Sequence, residues 1–559
     1  MAKHLGPNNT GESIDRRDFL GGLSVGGATA AAGMIATATE ARAMAAPPTG
    51  ATAFSVRDFG AAGNGMTLDT KAIQDAVDAA HVAGGGTVVL NAGTYLSGTI
   101  FLKSRVTLHL EAGATLLGST DLADFPEIPT RFPSYTDNYV HQALIYGESV
   151  EDVAITGRGI IDGQGAVYNE RTKDYLVRPY LIRMVLSRNI LVEGVTIKDS
   201  PMWVQHYLAC EYVTLRGLRI LSQVAHNNDM IDIDCCSNVH ISDCYGKTGD
   251  DCITLKSTAD RICENVTVTN CVLSSRCNAI KLGTESNGGF RNITISNCTI
   301  NSLREPTQYS QRTFGISGIA LELVDGGLFE DVIVSNITMR GVRVPIFLRL
   351  GNRARPFIEN GPTPKMGTFR NVILNNIIAT AVHPIGCSIT GLPGHPIRNV
   401  TLENISLSMP GGGTSEAAVK TVDENADAYP KAHMFGMLPA YGFYCRHVDG
   451  LAMSNVHVAC TEPDMRPALI CDDVIDLDLD GFRDNNPATT PTAVVLKDVH
   501  NASMRGCTAG SKTGAYLTIA GQSRHINLTG NDFSMADTGW RTEPSIPKDE
   551  VFAAANREA

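Results

Sequence analysis

The chain has 559 residues, 43% of them hydrophobic and 19% charged, with a formal net charge of -12. That acidity argues against a partner gripped by a broad basic surface, so neither nucleic acid nor an anionic membrane is expected. Aromatics are few (6%) and glycines number 54, which suits many short strands and tight turns better than a helical bundle.

At the N-terminus, "DRRDFL" sets Arg16 and Arg17 before a weakly apolar Gly- and Ala-rich run, followed by the small-residue context "ARAMA". This resembles a twin-arginine export signal over residues 1–45, cleaved after Ala43 or Ala45. The alternative is an uncleaved anchor, but the glycines and alanines make the run a weak one. The expectation is a mature chain, 46–559, that is periplasmic or extracellular and not held in a membrane.

"DTKAIQDAVDAAHVAGGG", from Asp69, has the period of an amphipathic helix ended by glycines. Within a segment of about 54–90 it is expected to cap a ladder of strands and hide their open edges. From about residue 185 one pattern recurs, as in "RNILVEGVTI", "ENVTVTNCVL" and "RNITISNCTI". Asn238, Asn265 and Asn292 are 27 residues apart each time. A β-rich repeat of this size predicts a solenoid. The fold expected is all-β: a right-handed parallel β-helix of about three strands per coil, one domain over 46–559. A β-propeller blade needs about 40 residues and four antiparallel strands. The 14 cysteines fall at like places in successive repeats (Cys244, Cys271, Cys298) and are read as buried thiols, not disulfides. No CxxC pair points to zinc. Residues 410–443 break the pattern and read as a loop over one face, a candidate cleft wall.

Two acidic clusters interrupt the ladder: "HNNDMIDID", with Asp229, Asp232 and Asp234, and "KTGDDCITLKS", with Asp250 and Asp251. Asp229 and Asp250 are 21 residues apart, about one coil. Stacking would bring Asp229 beside Asp250 or Asp251. Crowded carboxylates cannot all ionise freely, so at least one pKa should rise. A raised carboxyl can protonate a leaving oxygen while an ionised neighbour activates water, the pairing that glycosidic hydrolysis needs. Calcium turns and solvated turns are the competing readings of such aspartates. Asp232 and Asp234 are read as supporting residues.

At these residues the chain resembles the family 28 glycoside hydrolases, the polygalacturonase and rhamnogalacturonase group. That family's Asn-Thr-Asp-Gly-x-Asp and Gly-Asp-Asp stand here as "NNDMID" and "TGDDCITLKS". "FSVRDFGAAGNGMTLDTKAIQDAVDAA" and "SPMWVQHYLACEYVTLRGLRI" are similar to its bacterial members, and the likeness runs from about Phe54 to at least residue 410. The resemblance implies a parallel β-helix, inverting hydrolysis of a pectic poly- or oligosaccharide, and neither metal nor other cofactor. It implies Asp250 as general acid, with Asp229 and Asp251 positioning and deprotonating water.

The chain also departs from the family. Asn278, in "CNAIKLGTES", stands where a histidine supports the acid, and Lys281 is added. Ala320 and Glu322, in "GIALELVDGG", replace an Arg and a Lys that grip a uronate. Plain polygalacturonan is therefore disfavoured in the usual frame and rhamnogalacturonan gains weight. His206 is a candidate cleft residue one coil before Asp229. Lys281 and Arg349 are expected to read a uronate from another direction, with Lys256 and Arg353 as further cations. Glu285 is a candidate for bonding sugar hydroxyls, for tuning Asp250 or for acting as an extra acid. A β-helix polysaccharide lyase and a non-catalytic carbohydrate-binding β-helix are the alternatives.

Overall fold

The computed structural model describes residues 52–168 and 177–558. The proposed signal segment, 1–45, lies outside the described residues. Within 48–559, strands wind into coils whose successive copies pair in parallel, forming three strand stacks. One coil carries Ser237–Ser242 in the first stack and Tyr245–Thr248 in the second. The third stack contains five strands that matter below: β1 (Gln205–Leu208), β2 (Ile231–Asp234), β3 (Ile253–Ser257), β4 (Asn278–Ser286) and β5 (Gly315–Leu323).

The repeat explains the fold. In the first stack alternate side chains enter the core, and the register lines up Val213, Val239, Val266, Ile293, Val332 and Val372 in one buried column. β-branched residues suit this surface because their stiff side chains already fit the pleat. Each coil must then turn sharply. Asn238, Asn265 and Asn292 have φ of 60°, 56° and 53°, the left-handed region that asparagine tolerates. Their side chains also bond along the axis: Asn265 Nδ2 donates to Asn238 Oδ1 at 3.2 Å, and Asn292 Nδ2 to Asn265 Oδ1 at 2.7 Å. A second asparagine ladder runs through Asn297, Asn336, Asn376, Asn404 and Asn455. The spacing of 27 residues is thus the spacing of a turn. All 14 cysteines are free, and all but the half-buried Cys277 are buried.

The helix α1 (Thr70–Val82) buries Ile73, Ala76, Val77 and Ala80 in the same core. It packs against Ala53–Ser55, Gly86–Leu90 and Val106–Leu110. No helix among the described residues is long and apolar enough to cross a membrane.

Residues 410–443 form a loop over the outer face of the third stack. Val422, Ala432, Phe435 and Leu438 of the loop cluster with Ala320, Phe347 and Tyr444 of the stack. The loop is held by a buried ion pair. Arg466 Nε donates to Asp464 Oδ1 at 2.9 Å and Nη2 to Oδ2 at 2.7 Å, with both side chains inaccessible to solvent. Arg466 also donates to the Leu438 carbonyl, and Asp464 accepts from the Gly413 amide, both at 2.9 Å. A Cβ at Gly413 would lie 2.1 Å from Arg466 Nε, so only glycine lets the loop approach this close.

Candidate active site

A cleft of about 790 Å³ opens where this outer face is left uncovered. Tyr139, Trp203, Tyr309, Ser310, Arg312 and residues 429–431 line it. Its floor comes from the ends of β2, β3 and β4. Asp250 and Asp251 lie in the bend just before β3, not within the strand, and Asp229 lies just before β2. The bend lets both adjacent carboxylates line the cleft.

The register fixes the partners. Ile231 pairs with Ile253 and Met230 N donates to Asp251 O, which sets Asp229 beside Asp251 on the neighbouring coil. Asn278, one coil further, donates to Asp251 Oδ1 from both its backbone N (2.8 Å) and its Nδ2 (2.7 Å). It therefore serves Asp251 and not the acid position its sequence alignment suggested. Lys281 Nζ sits 3.1 Å from Asp251 Oδ2. Asp250 Oδ1 accepts the Asp251 amide at 3.0 Å, and the Cys277 thiol also hydrogen-bonds its carboxyl.

These contacts drive the two neighbouring carboxyls apart. Burial and the adjacent Asp251 raise the Asp250 pKa above the usual carboxylate value. Burial also acts to raise Asp251, but the Lys281 and Lys256 cations and the Asn278 N–H outweigh it and hold Asp251 below that value. Asp229 is pushed well up by burial, then by Asp250, Asp232 and Asp251. One group is thus poised as a proton donor beside one poised as an ionised acceptor. The third, Asp229, has a buried Oδ1 with no hydrogen-bond partner among the described residues.

The remaining sequence candidates divide. Glu285, Glu322 and Lys281 line the cleft with Asn278. Glu285 is paired with Arg355 at 2.8 Å and Lys256 at 3.5 Å. Despite burial these cations drive its carboxyl far below the ordinary range, so it is an ionised anchor and not an extra acid. Glu322 is pushed up to about 7, mainly by burial, although Lys281 and a 2.9 Å bond from Thr284 Oγ1 oppose this.

His206 does not line the cleft. It is fully buried, donates Nε2–H to Asp234 Oδ2 at 3.1 Å, and stacks on Tyr180 with ring centres 5.5 Å apart. The reason is coil length: His206 pairs with Asp232, not with the Asp229 position. Arg349 does not line the cleft either. It is 1% exposed and donates to the Glu424 and Asn425 carbonyls, clamping the loop from beneath. Arg353 is tied to Asp325, and Arg355 is the arginine of that segment that reaches the cleft.

Residues the sequence did not single out are Tyr139, Trp203, Tyr429 and the 309–312 segment. Trp203 carries Lys256 Nζ 4.5 Å from its ring centre. A signal for the segment existed, because Ile293 pairs with Val332, 39 residues on, whereas the two coils before it take 27. The excess had to form a loop. Among the described residues, Asp250, Asp251 and Cys277 bring ligand atoms within 4.8 Å of one another. Burial pushes the Cys277 thiol well up, so it stays neutral, and Lys281 already holds the cation position at Asp251. The group is poorly suited to a divalent ion.

Glu322 gives a stability test. Its folded value of about 7 lies above its ordinary 4.5. The contribution is therefore full below 4.5 and lost as pH rises to about 7. Glu322→Gln is expected to flatten part of the fall in melting temperature over that interval. Parallel melting curves for the two proteins would show that Glu322 titrates normally.

The profile of glycosyl hydrolases family 28 matches residues 87–428, more than half of the chain. The chain belongs to that family. Over 219 residues it is 39% identical to a probable polygalacturonase of Vitis vinifera, covering 37% of this chain and 44% of that one. Over 155 residues it is 37% identical to the plasmin and fibronectin-binding protein A of Streptococcus pneumoniae (strain ATCC BAA-255 / R6), covering 27% of this chain and 21% of that one. The chain thus spans less than half the length of these curated relatives. The crystal structure of a hyperthermoactive exopolygalacturonase from Thermotoga maritima shares the fold, with a TM-score of 0.51 and 22% identity over 73% of this chain and 91% of that one.

Proposed function

We propose that the chain is an exported glycoside hydrolase that cleaves a pectic polysaccharide or oligosaccharide, of galacturonan or rhamnogalacturonan type, with inversion. The observation that carries this reading is the convergence of Asp229, Asp250 and Asp251 on one cleft, with Asp250 and Asp251 shifted in opposite directions. Asp250 gives its proton to the leaving glycosidic oxygen as that bond to the anomeric carbon breaks. Water attacks the same carbon from the opposite face and passes a proton to Asp251. Asp229, neutral, orients that water through its unpartnered oxygen. The two protons then re-equilibrate with solvent, leaving the enzyme unchanged.

Family membership supports the substrate class, and the arginine pair before an apolar run supports export by the twin-arginine route. A right-handed winding is supported by the handedness of parallel crossovers, because right-twisted strands pack back onto their sheet most readily that way. The burial of α1 against the first strands supports its role as a cap. A second, non-catalytic reading draws on the likeness to a protein named for binding plasmin and fibronectin.

Product analysis separates these. Purified protein should release reducing ends from a pectic substrate, with no gain in ultraviolet absorbance and no loss on chelation. Absorbance that needs metal would make it a lyase. Silence on every pectic substrate would favour the binding reading.

A further inference from the structure

One group of basic side chains next to the cleft has no carboxylate partner among the described residues. Arg276, Arg312 and Lys431 line the cleft, and beside them lie Arg343, His383 and His433. Among the described residues no carboxylate comes within 4 Å of any of the six, in a chain whose net charge is -12. Arg276 and Arg312 spend bonds on backbone carbonyls. Arg343 Nε is buried without a hydrogen-bond partner among the described residues, and its guanidinium lies 5.1 Å from the Phe314 ring centre. The Nδ1 atoms of His383 and His433 are likewise buried without partners.

The groups are close enough to repel. His433 is held below its ordinary pKa by burial and then by Arg343, Lys431, Arg312 and His383. Arg343 is lowered by burial and then by Arg312. The arginines and Lys431 gather with no carboxylate partner among the described residues, beside two imidazoles held below their ordinary pKa, and with donors left over, which raises the free energy of the empty site. An incoming anion recovers it.

The position is set by the coils. Cys252 N bonds Asn278 O and Ile316 N bonds Cys277 O, which puts Asp250, Cys277 and Ile316 in one column. Arg343 continues it, since Ile316 lies between the paired residues Gly315–Val342 and Ser317–Val344. Arg343 therefore stands three coils from the proposed acid, about 14 Å along the axis. That exceeds the span of one pyranose ring.

We infer that Arg343, with Arg312, His383, His433 and Lys431, forms a distal subsite for a uronate carboxylate of the substrate, remote from the cleaved bond. This rests on the hydrolase reading above. It also supplies what Arg349, buried under the loop, does not: a guanidinium free to take a carboxylate in bidentate fashion.

The test uses oligogalacturonates and rhamnogalacturonan oligosaccharides of increasing length, free and methyl-esterified. Binding is measured by calorimetry and cleavage by reducing ends, for wild type, Arg343→Gln and His433→Gln, with melting temperature as a fold control. Each variant should bind long free-acid oligosaccharides about tenfold more weakly. The shortest cleaved substrate should keep its KM and kcat, and esterification should erase the difference from wild type. If wild type cleaves acidic chains but neither variant changes length dependence, the subsite is wrong and the hydrolase reading stands. If nothing is cleaved, yet acidic chains bind in an Arg343-dependent way, the hydrolase reading falls and the subsite stands. If no acidic chain binds or is cleaved, both fall.

Discussion

Asp250→Asn is expected to lower kcat by about 10³–10⁴-fold with KM nearly unchanged, the upper range for loss of a general acid. The amide keeps the volume of the side chain but has no proton that a glycosidic oxygen can take. A leaving group that departs without protonation should restore most of the rate in this variant. It should not rescue Asp251→Asn, because the water still lacks its base. Equal rescue of both, or of neither, would overturn the division of roles. The pH profile adds an independent check. Activity needs Asp251 ionised and Asp250 protonated, so it rises with pH through the lowered value and falls through the raised one. Lys281 lowers both groups, with Asp251 only 3.1 Å away. Lys281→Met should therefore move both limbs to higher pH. An unmoved profile would show that Lys281 does not set the protonation of the pair.

Arg466→Met is expected to detach the loop that walls the cleft. It leaves Asp464 charged and inaccessible to solvent, and breaking a buried pair in this way costs about 3–5 kcal/mol. A solenoid unfolds locally, so the loss should concentrate near the pair and not spread along the axis. Amide protection over residues 410–441 should fall about 10²–10³-fold, with that of the early coils preserved. KM should rise because Tyr429 and Lys431 come from this loop. A double variant, Asp464→Leu with Arg466→Met, should recover part of the protection, since no charge is then stranded. Unchanged protection in the single variant would mean that apolar contacts of Phe435 and Leu438 hold the loop unaided.

The sequence by itself determined the ladder and the acids. Asparagines at a fixed spacing mark turns that only a few residue types can make, and alternation marks which side chains enter the core. Both are local properties of the chain, so they can be read without coordinates. The pairing of Asp229 with the Asp250–Asp251 coil followed from the repeat, although its exact register, one residue later, did not. Asn278 was found as a departure, but the carboxylate it serves depends on that register.

Only the tertiary structure decided what covers the outer face. The sequence offered His206 and Arg349 as candidate cleft residues, but a place in the ladder does not say what covers a side chain. Aromatic residues close over His206, and the 410–443 loop closes over Arg349. Glu285 likewise reads as a spare acid in the sequence, while Arg355, 70 residues on, makes it a fixed anion. Arg276, Arg343, His383 and His433 lie in four separate stretches and form one field only because coils and loops bring them together. Short-range preferences fix each coil, whereas the sites between loops depend on contacts made across many coils, which no local pattern encodes.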